Sequence, residues 1–278
     1  MFRNRTTLCD EIVFEGKGIH SGRASSLRLS PYEEGQGIVF AFGANRYGIA
    51  EARADGSKRN TSLIFPEGER VATVEHLLSA IAGLGLDDAL ITVCGEEVPI
   101  MDGSPLPFAE AIIARGTRNF ESEYIARYLD APLCVDWRES SITALPSDEM
   151  RVTYVIDYPD SPIGTEMKSI TVTPENYFSE IAPARTFCLA SEVKELLEAG
   201  LGLGGGEDNV LVIGDGNPSG RYRVSRECAA HKAADLLGDL TLAGFVPQAH
   251  YVCVRGGHSL HIKLADRIKR IAPKKTGR

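Results

Sequence analysis

The sequence predicts an α+β fold of two similar domains, each a two-layer sheet-and-helix sandwich, with the functional site at their junction. Strand-length segments, alternating or continuously apolar, recur in both halves of the 278-residue chain. Between the halves, over 116–130, the pattern weakens and charges gather at Glu121, Glu123, Arg127 and Asp130. This divides the chain into 1–125 and 126–278. The halves also echo each other. His76 and His231 are each followed by an apolar helical stretch, a Leu-Gly or Ala-Gly turn and an apolar strand. Each then reaches a Gly-Ser or His-Ser loop at the same distance (Gly103-Ser104, His258-Ser259). Two sheets with helices on one face follow from this pattern. If the helices face each other, His76 and His231 meet at the seam, where ligand sites are favoured.

The elements run in order. Ile12-Val13-Phe14 leads into the Gly-punctuated loop Glu15–Gly22. Ser26–Ser30 alternates, and Ile38–Phe42 reads as a buried strand. The stretch 43–60 is a polar excursion. Thr73-Val74-Glu75-His76 opens a helix, Leu77 to Leu84, closed by Gly85. The strand Ala89–Cys94, the loop Pro99–Ser104 and a helix over Pro107–Arg115 follow. In the second half, strands run from Leu133 to Tyr158 and over Ser169–Val172. Ser191 caps a helix to Ala199, stopped by Gly200. The flexible loop Gly202–Gly206 precedes the strand Val210–Ile213. Ala230–Asp239, rich in Ala and Leu, is helical. Then come the strand Tyr251–Val254, the loop Arg255–Ser259 and a helix over Leu260–Ile271. The tail from Lys274 is basic and frayed.

Composition limits the function. With 43% hydrophobic and 24% charged residues this is an ordinary globular chain. A net charge of −8 argues against general binding to nucleic acid or anionic membranes. Six cysteines without a C-x-x-C pair argue against a zinc ribbon or a disulfide scaffold; Cys94 and Cys253, in apolar strands, read as small core residues. The N-terminus lacks the apolar run of a signal peptide, and no apolar stretch is long enough to span a membrane. A reduced cytoplasm and a monomer are expected.

His231 and Asp235 lie one helical turn apart, a spacing at which an imidazole and a carboxylate share one metal ion. The same spacing suits an intrahelical pair on a solvated face. Zinc accepts both donor types, and a catalytic site adds a third protein ligand and a water. His76 from the other half completes the set. Amide hydrolysis then needs a base and an acid. Glu75, beside His76, suits the base, although a Glu in a first helical turn also suits the dipole. His258, on a Gly-rich loop, suits the acid or is an ordinary loop residue. Asp239 would orient His231, and Thr186 would donate to a developing oxyanion. His250 and His261 read as structural or surface residues, and His20 as a turn residue.

Several motifs occur in an order that identifies a family. They are Gly16-x-Gly18-Ile19-His20-Ser21-Gly22, Thr73–Ser79, Pro99–Ser104, Ala184-Arg185-Thr186-Phe187, His231-Lys232-x-x-Asp235-x-x-Gly238-Asp239 and Gly256-Gly257-His258-Ser259. Over about 8–270 the chain resembles the UDP-3-O-acyl-N-acetylglucosamine deacetylases, zinc hydrolases that commit the lipid A pathway of Gram-negative bacteria. The resemblance implies zinc ligands His76, His231 and Asp235, with Fe²⁺ tolerated by the same donors. It implies Glu75 as base, His258 as acid oriented by Asp239, and Thr186 as oxyanion donor. Phe187 would line the sugar pocket, and Lys232 and Arg255 would meet the anionic part of a UDP-acyl-glucosamine. A β-α-β insert near 185–213 would form the acyl passage, walled by Leu189, Leu196 and Leu203. No fused dehydratase domain is expected. Ala230, Gly206 and His261 depart from the residues usual in the family (Arg, Ser and Asn) and bear on substrate preference.

Overall fold

The computed structural model describes residues 3–214 and 218–271. β1 (Asn4–Leu8) leads into β2 (Ile12–Lys17), β3 (Ala24–Pro31), β4 (Ile38–Phe42) and β5 (Asn45–Gly48). In β3 the alternation predicted from sequence buries Leu27 and Leu29 and exposes Arg28. The stretch 43–60 is only partly an excursion from the main sheet: it holds β5, an edge strand of that sheet, and β6 (Arg53–Asp55), which joins β7 (Ser62–Ile64) and β8 (Arg70–Val71) in a small antiparallel sheet. Next come α1 (Glu75–Leu84), β9 (Ala89–Cys94) and α2 (Leu106–Arg115). Gly85 ends α1 at φ +69°, the left-handed cap expected of it. β9 enters the centre of the first large sheet, giving the order β2-β3-β9-β4-β5.

The second half repeats this plan. β10 (Thr117–Glu123) comes first, then β11 (Leu133–Trp137), β12 (Ser140–Pro146), β13 (Arg151–Tyr158) and β14 (Gly164–Thr171). After α3 (Pro174–Glu180) there is a parallel pair, β15 (Phe187–Leu189) with β16 (Leu211–Ile213), which brackets α4 (Val193–Glu198). Then follow α5 (Glu227–Leu240), β17 (Ala249–Val254) and α6 (His258–Arg270). The sheet order is β11-β12-β17-β13-β14. In both sheets the late strand pairs antiparallel with the second strand and parallel with the third. The echo read from the sequence is therefore a shared topology.

Helix α1 packs on α5, and α5 in turn packs on β13 and β14 of the second large sheet. All of α5 is buried except Lys232, so His231 and Asp235 do not sit on a solvated face. Ala229, Ala230, Ala233 and Ala234 give the helix a thin profile, fully enclosed. At Gly238 a Cβ would collide with the carbonyl oxygen of Glu75, so its lack of a side chain sets how closely α5 approaches the start of α1. No described helix is long and apolar enough to cross a membrane.

Several expectations need correction. The stretch 116–130 contains β10, paired antiparallel with β1, so much of it is sheet. Cys94 is exposed at the end of β9; Cys253 is buried as expected. Ser191 lies within a 3-10 turn and caps nothing. The Glu192 side chain instead accepts the Leu189 N–H. The basic tail from Lys274 lies outside the described residues.

Candidate active site

His76 comes from the first turn of α1, and His231 and Asp235 from the middle of α5. Asp235 Oδ1 lies 3.4 Å from His231 Nε2 and 3.8 Å from His76 Nε2. One donor atom from each of the three residues falls within a span of 4.8 Å. His231 Nδ1 lies 3.2 Å from the Ala184 carbonyl, so it carries the proton and leaves Nε2 with its lone pair. Burial, with His231 beside it, lowers His76 to about 3. Burial lowers His231 to about 4 against the pull of Asp235. Both imidazoles are thus neutral, the metal-binding form. Burial opposes the charge on Asp235, but the cationic Lys232 and His258 beside it hold its carboxyl well below the ordinary range.

Among the described residues, three buried side-chain atoms have no hydrogen-bond partner: His20 Nδ1, His76 Nδ1 and Asp235 Oδ1. All three residues line one cleft of about 1160 Å³. Buried polar atoms are ordinarily paired. The orphaned carboxylate oxygen facing two imidazole nitrogens fits a divalent cation.

Glu75 precedes His76 on α1, and its Oε2 accepts the Thr61 N–H at 3.0 Å. Burial pushes its carboxyl up to about 8. Its Oε1 lies 4.0 Å from His258 Nε2, and that nitrogen is 3.7 Å from Asp235 Oδ2. His258 Nδ1 donates to Asp239 Oδ2 at 2.9 Å. Burial would lower His258, but Asp239 and Asp235 prevail and push it up to about 9. A carboxyl group and an imidazole, both raised in pKa by their surroundings, thus flank the three metal-ligand candidates.

The sequence pattern of the family described as UDP-3-O-acyl N-acetylglycosamine deacetylase matches residues 5–270. The chain belongs to this family. A Chlamydia trachomatis serovar D protein named UDP-3-O-acyl-N-acetylglucosamine deacetylase is 38% identical over 273 residues, covering 96% of this chain and 95% of its own. Proteins of the same name from Trichormus variabilis and Leptospira biflexa are 36% and 34% identical. They cover 94% of this chain, and 97% and 88% of their own lengths.

Other residues expected of a deacetylase site fall around the same cleft. Thr186 and Phe187 line it. The Phe187 ring stands edge-on to His231, with centroids 6.1 Å apart. Lys232 also lines the cleft, but its ammonium is 2.8 Å from Asp235 Oδ2, so it neutralises a metal-ligand candidate. Arg255, at φ +52°, pairs with Glu139 at 3.0 Å on the rim. Leu196 lines the cleft, but Leu189 and Leu203 do not. Leu189 packs against the core, Leu203 points to solvent, and Val193, Leu197, Leu201 and Val210 form the wall.

Asp239 does not orient His231, which uses Ala184. The turn of α5 carries Asp239 to His258, as the family resemblance implies. His261 is no surface residue: it is fully buried and donates to Asp239 Oδ2 at 2.9 Å. His250 bonds Thr153 on the sheet, apart from the site. Sequence reasoning missed Thr61, which donates its hydroxyl to Asp239 Oδ1 at 2.5 Å. A threonine in a polar stretch gave no signal of a partner on α5.

Proposed function

We propose that this chain removes the N-acetyl group of UDP-3-O-(3-hydroxyacyl)-N-acetylglucosamine in lipid A biosynthesis, using Zn²⁺, or Fe²⁺ in its place. The observation that carries the reading is the orphaned Asp235 oxygen between two neutral imidazoles, flanked by Glu75 and His258. Family membership supplies the substrate.

In this reading His76 Nε2, His231 Nε2 and Asp235 hold the cation. When bound, it polarises the amide carbonyl and acidifies water. Glu75 takes the proton of the attacking water, its carboxyl tuned by burial for proton uptake near neutral pH. His258, protonated and held by Asp239, delivers a proton from Nε2 to the departing amine. The Thr186 hydroxyl donates to the oxyanion. Phe187 borders the sugar, Lys232 and Arg255 face its anionic nucleotide, and the passage beside Leu196 takes the acyl chain.

The site is read as the junction of two domains, 1–125 and 126–278, in keeping with the repeated strand order and the packing of α1 on α5. A cytoplasmic monomer is the proposed setting, consistent with six unpaired cysteines. The test is deacetylation of the UDP-substrate before and after chelation, with Zn²⁺ or Fe²⁺ restored, in wild type, Glu75→Ala and His258→Ala. Activity should vanish on chelation and return with about one equivalent of metal. Each variant should lose at least about 100-fold in kcat. Undiminished turnover by a folded, metal-loaded Glu75→Ala protein would overturn the assignment of the base.

A further inference from the structure

Behind the acid–base pair the hydrogen bonds of Asp239 continue into a buried chain whose far members, His261 and Tyr154, the proposed mechanism does not use. His258 Nδ1 and His261 Nδ1 both approach Asp239 Oδ2 at 2.9 Å, and Thr61 Oγ1 reaches Oδ1 at 2.5 Å. His261 Nε2 lies 2.9 Å from the Tyr154 hydroxyl. Tyr154 and His261 are fully enclosed, on β13 and α6 respectively.

The proton positions follow from acceptor chemistry. Asp239 is ionised, because His258 and the hydrogen bonds it accepts outweigh burial and hold its carboxyl below the ordinary value. An ionised carboxylate only accepts, so each Nδ1 must carry a proton. A neutral imidazole with a protonated Nδ1 leaves Nε2 as acceptor. Burial lowers His261, which keeps it neutral. The Tyr154 hydroxyl must therefore donate to His261 Nε2, with burial holding the phenol well above its usual range. The chain runs in one direction: Tyr154 to His261, His261 to Asp239, with His258 donating to the same oxygen.

We propose that His261 and Tyr154 are positioning residues for the reaction: Tyr154 donates to His261 Nε2 and fixes the orientation of its ring, and His261 pins Asp239 so that His258 Nε2 faces the metal-ligand cluster. This rests on the deacetylase reading above. Asp239, His258 and His261 also lie close enough to hold a metal ion themselves. That alternative requires both Nδ1 protons to be lost and both hydrogen bonds to Asp239 Oδ2 to break. Those hydrogen bonds favour positioning.

The test combines steady-state kinetics with imidazole ¹H–¹⁵N spectra of the metal-free protein, for wild type, His261→Leu, His261→Asn and Tyr154→Phe. His261→Leu should lose about 10- to 100-fold in kcat with KM changed less than about 3-fold. His261→Asn keeps one N–H donor and should recover most of the loss. Tyr154→Phe should lose less kcat than His261→Leu and shift the His261 Nε2 resonance, while the Nδ1–H tautomer of wild type is retained. The proposal is overturned by an unchanged kcat in Tyr154→Phe, by an Nε2–H tautomer of His261 in wild type, or by equal losses in the Leu and Asn variants. Two metal equivalents in wild type but one in His261→Asn would also overturn it. If His261→Leu does not fold, the Asn and Phe variants decide. If wild type deacetylates nothing, the proposed function fails, while the tautomer spectra still decide whether the chain is ordered as described.

Discussion

Asp239 joins stability to chemistry at the residue scale. Its carboxylate accepts from Thr61, His258 and His261 in a site closed to solvent, where an uncompensated charge would be costly. Asp239→Asn keeps the shape and removes the charge, so kcat should fall about 100-fold or more as His258 loses the group that keeps it cationic. The variant should also change the pH dependence of unfolding in metal-free protein. The folded pKa of Asp239 is depressed from 3.8. Its contribution is complete above that value and is lost as pH falls toward the folded one. The folded pKa of His258 is raised from 6.5 to about 9, so its contribution is complete below 6.5 and is lost as pH rises through about 9. The advantage of wild type over Asp239→Asn should therefore form a plateau between about pH 4 and 6.5 and decline on both sides. Urea unfolding across pH 3.5–9.5 measures it; a difference independent of pH would contradict the assigned charges.

At the scale of elements, periodicity and punctuation were legible wherever one residue class dominated. The alternation of Leu27 and Leu29 placed β3, and Gly85 ended α1 where expected. β14 was read only near its end because its inward positions include Glu166 and Lys168. Both are accommodated by partners no local pattern reveals: the Ala229 N–H accepted by Glu166, and Glu180 beside Lys168. α3 did carry a signal that went unread, Thr173 as N-cap before Pro174. The His231–Asp235 pair on α5 was visible as a four-residue spacing, but its burial depended on α1. Gly238 tests that dependence. In an exposed helix Gly→Ala is favourable by up to about 1 kcal/mol. Here the added Cβ meets the Glu75 carbonyl, and backbone cannot yield as a side-chain tip can. Net destabilisation of about 1–3 kcal/mol is expected, with weakened metal binding as α1 and its His76 move away from α5. Thermal unfolding and metal titration of Gly238→Ala check both; a more stable variant would show that the helices are not in close contact there.

At the scale of the molecule, the repeated strand order puts one histidine-bearing helix from each half against the other. The sequence carried this as two helices, each followed by a turn, a strand and a Gly-containing loop. It did not carry the other contacts that join the halves, some made by side chains, as from Thr61 to Asp239, and some by backbone. The Gly-rich loop of the β15–α4–β16 segment docks on the loop after β2: Gly204 N–H donates to the Ile19 carbonyl at 2.9 Å, and Leu203 N–H to that of His20 at 3.3 Å. A Cβ on Gly204 would overlap the Gly18 carbonyl oxygen. Gly204 has no positive φ, so Gly204→Ala would act by steric contact alone. The clash should push the loop off its neighbour and loosen the cleft wall at Gly202, Gly205 and Gly206. His76, His231 and Asp235 sit on helices and should keep their places. Substrates with a long acyl chain should then show KM raised several-fold with kcat within about 2-fold, since binding common to ground and transition states is what is lost. A short-chain analogue should be unaffected. A fall in kcat for both substrates would mean that the loop contact supports the chemistry itself and not the passage alone.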